Sequence, residues 1–68
     1  MQYRCYFFGA NGQLVGADTI VQDSDADACT VARRLFAQRA HATGFELRQG
    51  RRQIEAQEGG RTGRSRAA

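Results

Sequence analysis

The apolar residues of this chain change their spacing at Ser24, and this change constrains the fold more than any other feature. Before Ser24 they form two strand-like blocks, residues 3–8 and 14–21, joined through Asn11-Gly12. After Ser24 they recur at helical spacing, and near the end of the chain they alternate again with a period of two. The sequence therefore predicts the order strand, strand, helix, strand, strand.

The first hairpin is predicted from Asn11-Gly12, the favoured pair for a two-residue type I′ turn. Counting outward from that turn sets which residues face one another across the two strands. One face then carries Phe8 opposite Val15, Tyr6 opposite Ala17 and Arg4 opposite Thr19. The other face carries Tyr3 opposite Ile20, Cys5 opposite Asp18, Phe7 opposite Gly16 and Gly9 opposite Leu14. Both faces hold large apolar groups, and the sequence leaves open which of them the helix covers.

The helix is predicted over residues 25–42, with Ser24 as its N-cap. Asp25 and Asp27 lie in the first turn, where carboxylates are favoured by the positive end of the helix dipole. Gly44 is expected to supply the left-handed residue that ends the helix. The apolar stripe consists of Ala28, Ala32, Leu35 and Phe36, flanked by Cys29, Val31 and Ala40.

The second hairpin is predicted from Gly50-Arg51, which suits a two-residue type II′ turn. That turn sets Leu47 opposite Ile54 and Phe45 opposite Ala56. The polar face of this hairpin then sets Glu46 opposite Glu55. All apolar residues of the second hairpin are therefore expected on one side.

These elements predict an α+β fold, β-β-α-β-β, in which one helix packs on one face of a four-stranded antiparallel sheet. We favour the strand order 2-1-3-4, because the first strand is the most apolar and suits a central position. Residues 1–56 are expected to form a single domain. Residues 57–68 are rich in Gly and Arg and are expected to be a disordered tail.

The overall composition favours a soluble, cytoplasmic protein. The net charge of +3 results from ten Arg, with no Lys, against seven Asp and Glu, and most of the positive excess lies in the predicted tail. No apolar run approaches the roughly 20 residues that a membrane helix requires, so we expect no membrane contact. The chain shows no signal segment and its two Cys form no short-spaced motif, which favours a reduced compartment.

Candidate catalytic and metal-binding residues are few, and we predict no enzymatic activity, no cofactor and no metal. His41 is the only histidine, and no nucleophile is expected beside it. Alternation of Asp23, Asp25 and Asp27 resembles the start of a Ca²⁺ loop but lacks its Gly and its final Glu. Cys5 and Cys29 are expected to be small buried groups rather than reactive thiols.

The apolar face of the first hairpin that the helix leaves uncovered is expected to bind a partner. We therefore predict a non-enzymatic interaction module of unknown biological role that forms a homodimer and has a possible unidentified protein partner. The candidate interface residues are Tyr3, Cys5, Tyr6, Phe7 and Phe8. The alternative is a nucleic-acid-binding protein that uses the strand aromatics with the tail residues Arg61, Arg64 and Arg66.

The segments "YRCYFF", "ANGQLVGAD", "DSDADACTVARRLFAQ" and "GFELRQGRRQIE" resemble small uncharacterised proteobacterial proteins. The likeness covers residues 2–56 and implies a bacterial protein with the same order of elements, without an assigned activity. The hairpin and the acidic start of the helix are also similar to antitoxins of the HicB type. Those domains usually have a third strand before the helix and often a separate DNA-binding segment, and we expect neither in this sequence.

Overall fold

The strands form a single antiparallel sheet in the order β2-β1-β3-β4, and one helix packs on one of its faces. The structure, a computed structural model, describes residues 1–57. Its elements are β1 (Gln2–Phe8), β2 (Leu14–Val21), α1 (Asp25–Gln38), β3 (Gly44–Gln49) and β4 (Arg52–Gln57). The predicted fold and strand order are confirmed. The first residue of the predicted tail, Gln57, belongs to β4, and the rest of that prediction lies outside the described residues.

The first hairpin has the predicted register along most of its length but a different turn. Gly9 N–H donates to the Gln13 carbonyl over 2.8 Å, which closes a three-residue loop. Gly12 alone in this loop has a positive φ, of 80°. The predicted type I′ turn is wrong because it needs positive φ at Asn11 as well. A bulge at Val15 compensates for the extra loop residue. The pairs from Phe7 back to the start of β1 are therefore the predicted ones.

Helix α1 begins where the sequence predicts and ends earlier. Ser24 is the N-cap, and its Oγ accepts a hydrogen bond from the Asp27 N–H at 3.1 Å. The helix ends at Gln38 because Arg39 takes an extended conformation, with its N–H donating to the Phe36 carbonyl. The predicted termination at Gly44 is wrong, since that residue lies in β3.

The second hairpin has the predicted turn and a shifted register. Gly50 has a φ of 61° and Gln49 pairs with Arg52, as a two-residue turn with Gly first requires. A bulge at Ile54 then moves every later residue of β4 by one position. The observed pairs are Leu47 with Glu55, Glu46 with Ala56, and Phe45 with Gln57.

The prediction that all apolar residues of the second hairpin lie on one side is therefore wrong, because a shift of one residue exchanges the two faces of a strand. Glu55 lies on the helix side, where the Arg33 Nη2 donates to its Oε2 at 2.6 Å. Ile54, the bulged residue, still packs against the core. The bulge thus keeps Ile54 in apolar contact while it brings a carboxylate to the helix.

The core lies between α1 and one face of the sheet. Two alanines, Ala28 and Ala32, are fully buried at the centre of the helix face, and their small side chains allow the helix to approach the strands closely. At the C-terminal end of the helix, the rings of Phe36 and Phe45 lie 5.1 Å apart at a tilted angle. The buried sheet residues are Tyr3, Cys5, Phe7, Ile20, Phe45 and Leu47.

The Ser24 cap predicts a measurable loss of stability on its removal. Ser24→Ala is expected to cost about 1 kcal/mol, because the Asp27 N–H loses its acceptor. In a domain of this size that corresponds to a fall in Tm of roughly 4–8 °C. Ser24→Thr keeps a hydroxyl acceptor and is the matched control in thermal unfolding followed by circular dichroism. Equal Tm values for the two variants would contradict the assigned cap.

Candidate interaction surface

The face of the sheet opposite α1, named here the open face, is covered by no element of residues 1–57. Cross-strand partners lie on the same side of a sheet, so the register defines its members. Tyr6 pairs with Ala17 on one side and with Glu46 on the other, and Phe8 pairs with Leu14. The side chains of the open face are those of Gln2, Arg4, Tyr6, Phe8, Leu14, Ala17, Thr19, Val21, Glu46, Arg48, Gln53 and Ala56.

Three of the five predicted interface residues are buried beneath α1. Tyr3, Cys5 and Phe7 have relative exposures of 1%, 0% and 0%, because they occupy the alternate face of β1 that the helix covers. These three side chains are core residues, and including them in an interface was wrong. Tyr6 and Phe8 are partly exposed and lie on the open face.

The open face is apolar at the turn end of the first hairpin, where Tyr6 and Phe8 lie opposite Ala17 and Leu14, and Val21 is exposed at the other end of β2. Leu14 is 58% exposed and Val21 is 70% exposed, which is high for such side chains. Leu14 reaches this face only through the bulge at Val15, which pairs it with Phe8 instead of Gly9. Sequence reasoning therefore missed Leu14, which it placed opposite Gly9 on the other face. It left Val21 unassigned, although the alternation of residues along β2 is a signal that could have placed Val21 here.

The open face is charged along β3. Arg48 lies directly opposite Arg4, and each guanidinium has a hydrogen-bond partner of its own. Arg48 bonds Glu46 at 2.6 Å and the Arg51 carbonyl at 3.0 Å, and Arg4 bonds Thr19 Oγ1 at 3.3 Å. This part of the surface therefore holds charges of both signs, with an excess of one positive charge.

A polar cluster on the opposite side of the sheet fixes the start of α1. The Tyr3 hydroxyl donates to Asp25 Oδ1 at 2.7 Å, and the Arg52 guanidinium lies 3.3 Å from the same oxygen. The hydrogen bond from Tyr3, followed by those from Arg52, lowers the pKa of Asp25. The same hydrogen bond raises the pKa of Tyr3. The first turn of the helix is thereby tied to β1 and β4.

A second polar cluster fixes the other end of α1. The Arg39 guanidinium lies 4.4 Å from the centre of the Phe7 ring and donates to Asp18 at 3.1 Å. It also lies over Gly16, where an added Cβ would come within 2.6 Å of Nη1. A Cβ at Gly16 would therefore displace the end of the Arg39 side chain, whereas the backbone of Gly16 is not in the left-handed region.

Neither cysteine has the environment of a reactive thiol. Burial raises the pKa of Cys5 to about 12. Burial and the neighbouring Glu55 carboxylate raise the pKa of Cys29. A reactive thiol needs a depressed pKa, so these two groups are poor nucleophiles at neutral pH.

His41 lines an open groove of about 710 Å³ between the turn of the first hairpin and the C-terminal end of α1. The groove holds Arg39 and Gln38 but no carboxylate, hydroxyl or thiol side chain among its described lining residues. A histidine without such a neighbour has no group to activate or to orient it.

The alternating acidic residues before and within α1 have separate roles. Asp25 bonds Tyr3 and Arg52, and Asp27 donates its N–H to the cap, so the two are not converging ligands. Within residues 1–57, no three His, Cys, Asp or Glu side chains are grouped closely enough to hold a metal ion. The three tail arginines of the nucleic-acid alternative, Arg61, Arg64 and Arg66, lie outside the described residues.

The Tyr3–Asp25–Arg52 cluster predicts a specific pH dependence of stability. Because the folded-state pKa of Asp25 is lowered, its stabilising contribution is present above the unfolded value of about 3.9 and is lost as pH falls through the folded value. Asp25→Asn is expected to lower the urea midpoint at neutral pH and to approach the wild type in strong acid. Asp23→Asn, an exposed change of the same charge, is the control. A constant difference between wild type and Asp25→Asn at every pH would contradict this assignment.

Helix α1 has 14 residues and is too short and too polar to cross a membrane. The chain matches no protein-family model, no curated protein and no solved structure.

Proposed function

We propose that the protein is a small, non-enzymatic interaction module that self-associates through its open face. The observation that carries the proposal is the exposure of Leu14 beside Phe8, next to Tyr6, on a sheet face that no element of residues 1–57 covers. Val21 is exposed at the other end of β2, opposite Gln2. Sheets usually bury an apolar face against another layer of structure. A second copy of the chain supplies such a layer.

The charges of the open face support a second copy as the partner. Arg4 and Glu46 are both on this face, and their side chains have opposite signs. Two copies packed face to face can bring Arg4 of one copy near Glu46 of the other, while the aromatic groups fill the centre. Complementary charges at the rim of an apolar contact set its register more than its strength.

The titratable side chains support a role without catalysis. Asp25, Arg33 and Arg39 each bond a sheet residue and hold α1 in place. We further propose a cytoplasmic location, where thiols stay reduced, since both cysteines are free.

Nucleic-acid binding is the second candidate, and one feature of the open face favours it. Arg4 and Arg48 lie opposite each other across β1 and β3, next to the partly exposed ring of Tyr6. Guanidinium groups beside an aromatic ring suit a phosphate and a stacked base. The ion pair of Arg48 with Glu46 argues against nucleic-acid binding, because it neutralises one of the two positive charges.

The face-to-face association is tested with Tyr6→Gln, which replaces the central ring by a polar side chain of moderate size. Sedimentation velocity from micromolar to millimolar concentration is expected to show association of the wild type, weakened by about tenfold or more in the variant. Ala37→Gln, an exposed change on α1, is the control and is expected to associate like the wild type.

A wild type that stays monomeric at millimolar concentration would overturn the proposal, as would Tyr6→Gln associating like the control. Titration with single-stranded RNA at two salt concentrations separates the second candidate. Salt-sensitive binding that Tyr6→Gln weakens, together with a monomeric wild type, would favour nucleic acid over self-association.

A further inference from the structure

Strand β2 forms one edge of the sheet, no other element of residues 1–57 pairs with its outer side, and most of its length lacks the usual protection against pairing with another chain. Natural edge strands are commonly protected by Lys, by Pro or by bulges that interrupt pairing. The other edge, β4, has Arg52 and a bulge at Ile54. The eight residues of β2 include no Lys, Arg or Pro, and the bulge at Val15 lies near the hairpin turn, so that residues 16–21 pair regularly with β1. The one ionisable residue of β2, Asp18, is already bonded to Arg39.

The hydrogen bonds of the first hairpin show which backbone groups of β2 point outward. Met1 and Gln22 exchange both backbone hydrogen bonds, at 2.9 and 3.0 Å. Such pairs alternate along an antiparallel ladder, so Ile20, Asp18 and Gly16 also direct their backbone groups toward β1. The N–H and C=O groups of Ala17, Thr19 and Val21 therefore point away from the sheet.

We propose that β2 pairs antiparallel with β2 of a second copy, with the two-fold axis passing beside Ala17. A two-fold axis between antiparallel strands sets a residue opposite its own copy, and every other pair is placed symmetrically around it. Centring on Ala17 uses outward-pointing backbone groups for the central pair and sets Thr19 of each copy opposite the bulged Val15 of the other, where the regular pairing ends. This proposal goes beyond self-association through the open face, because it assigns a second and separate contact surface.

Charge complementarity selects Ala17 as the centre. In this register Asp18 lies opposite Gly16 of the second copy, and Arg39 of each copy lies over its own Gly16. Asp18 therefore approaches a second guanidinium. Centring on Asp18 instead would set two carboxylates directly opposite each other, which is unfavourable.

The solvent exposure of the Arg39–Asp18 ion pair within one copy is consistent with this arrangement. The side chains of Arg39 and Asp18 are 36% and 37% exposed although they bond each other. Pairing of two β2 strands produces a row of four alternating charges, two from each copy, along the joined edges. The same two-fold axis is perpendicular to the sheet, so both helices lie on one side and the two open faces form one continuous surface.

Ala17→Pro tests the edge contact. Proline is tolerated on an edge strand where the N–H points to solvent, so the single copy is expected to fold, while the central hydrogen bonds to a second copy are lost. Ala17→Thr keeps the N–H and is the control, and it also places a side chain of similar size on the open face, where Ala17 lies opposite Tyr6. If both contacts form, the wild type assembles into tetramers, Ala17→Pro stops at a dimer joined by the open faces, and Tyr6→Gln stops at a dimer joined by the edges.

These outcomes separate the two proposals in sedimentation experiments. If Ala17→Pro associates as strongly as Ala17→Thr, the edge contact is wrong and the open-face contact is unaffected. If Tyr6→Gln associates as strongly as the wild type and Ala17→Pro associates more weakly, the open-face contact is wrong and the edge contact is supported. Circular dichroism of Ala17→Pro verifies that the single copy is folded, and Thr19→Pro provides a second edge variant if it is not.

Disulfide trapping tests the register in a Cys29→Ala background, where the buried Cys5 is the remaining native thiol. Opposed residues in a hydrogen-bonded antiparallel pair have Cα atoms about 5.5 Å apart, within disulfide range. Ala17→Cys is therefore expected to cross-link on mild oxidation. Thr19→Cys is the control, since residue 19 of the second copy lies four positions further along the strand, roughly 13 Å from residue 19 of the first. Cross-linking of Thr19→Cys in preference to Ala17→Cys would overturn the proposed register.

Discussion

The packing of one helix on one face of the sheet is the constraint on which the rest of the structure depends. A 14-residue helix covers a single face, and the side that it covers is the one with Tyr3, Cys5 and Phe7. Apolar burial at roughly 25 cal/mol per Å² is the main source of stability, so a chain of this size relies on that one layer. The alternate residues of β1 and β2 remain outside it, which is why apolar side chains are exposed on the open face.

Polar contacts at both ends of α1 set its position over the sheet. Asp25 bonds β1 and β4 at the start of the helix, and Arg39, just past its end, bonds β2. Between them, Arg33 bonds Glu55 of β4. Exposed ion pairs contribute little free energy each, so their main effect is to select one orientation among the many that an alanine-lined helix face would allow.

The sequence predicts the parts of this fold that depend on local chemistry. The Ser24 cap, the Gly50 turn and the pairing of Tyr3 with Ile20 follow from residue type and alternation, and all three are confirmed. The two bulges could not be predicted, because an inserted residue depends on what packs across the strands. Ile54 bulges where a core contact and the Arg33–Glu55 pair are satisfied together. For the same reason the sequence showed two apolar faces on β1 but did not show which of them the helix covers.

The position of Cys5 gives the fold a built-in chemical reporter. Its thiol is fully buried at the centre of the sheet, whereas Cys29 lies partly exposed on the helix. An alkylating reagent reaches Cys5 only when α1 separates from β1, and so its rate of modification follows the opening of the whole core. Modification of Cys29 follows smaller movements of the helix surface. A chain with no tryptophan thus carries two thiols that distinguish local fluctuation from complete unfolding.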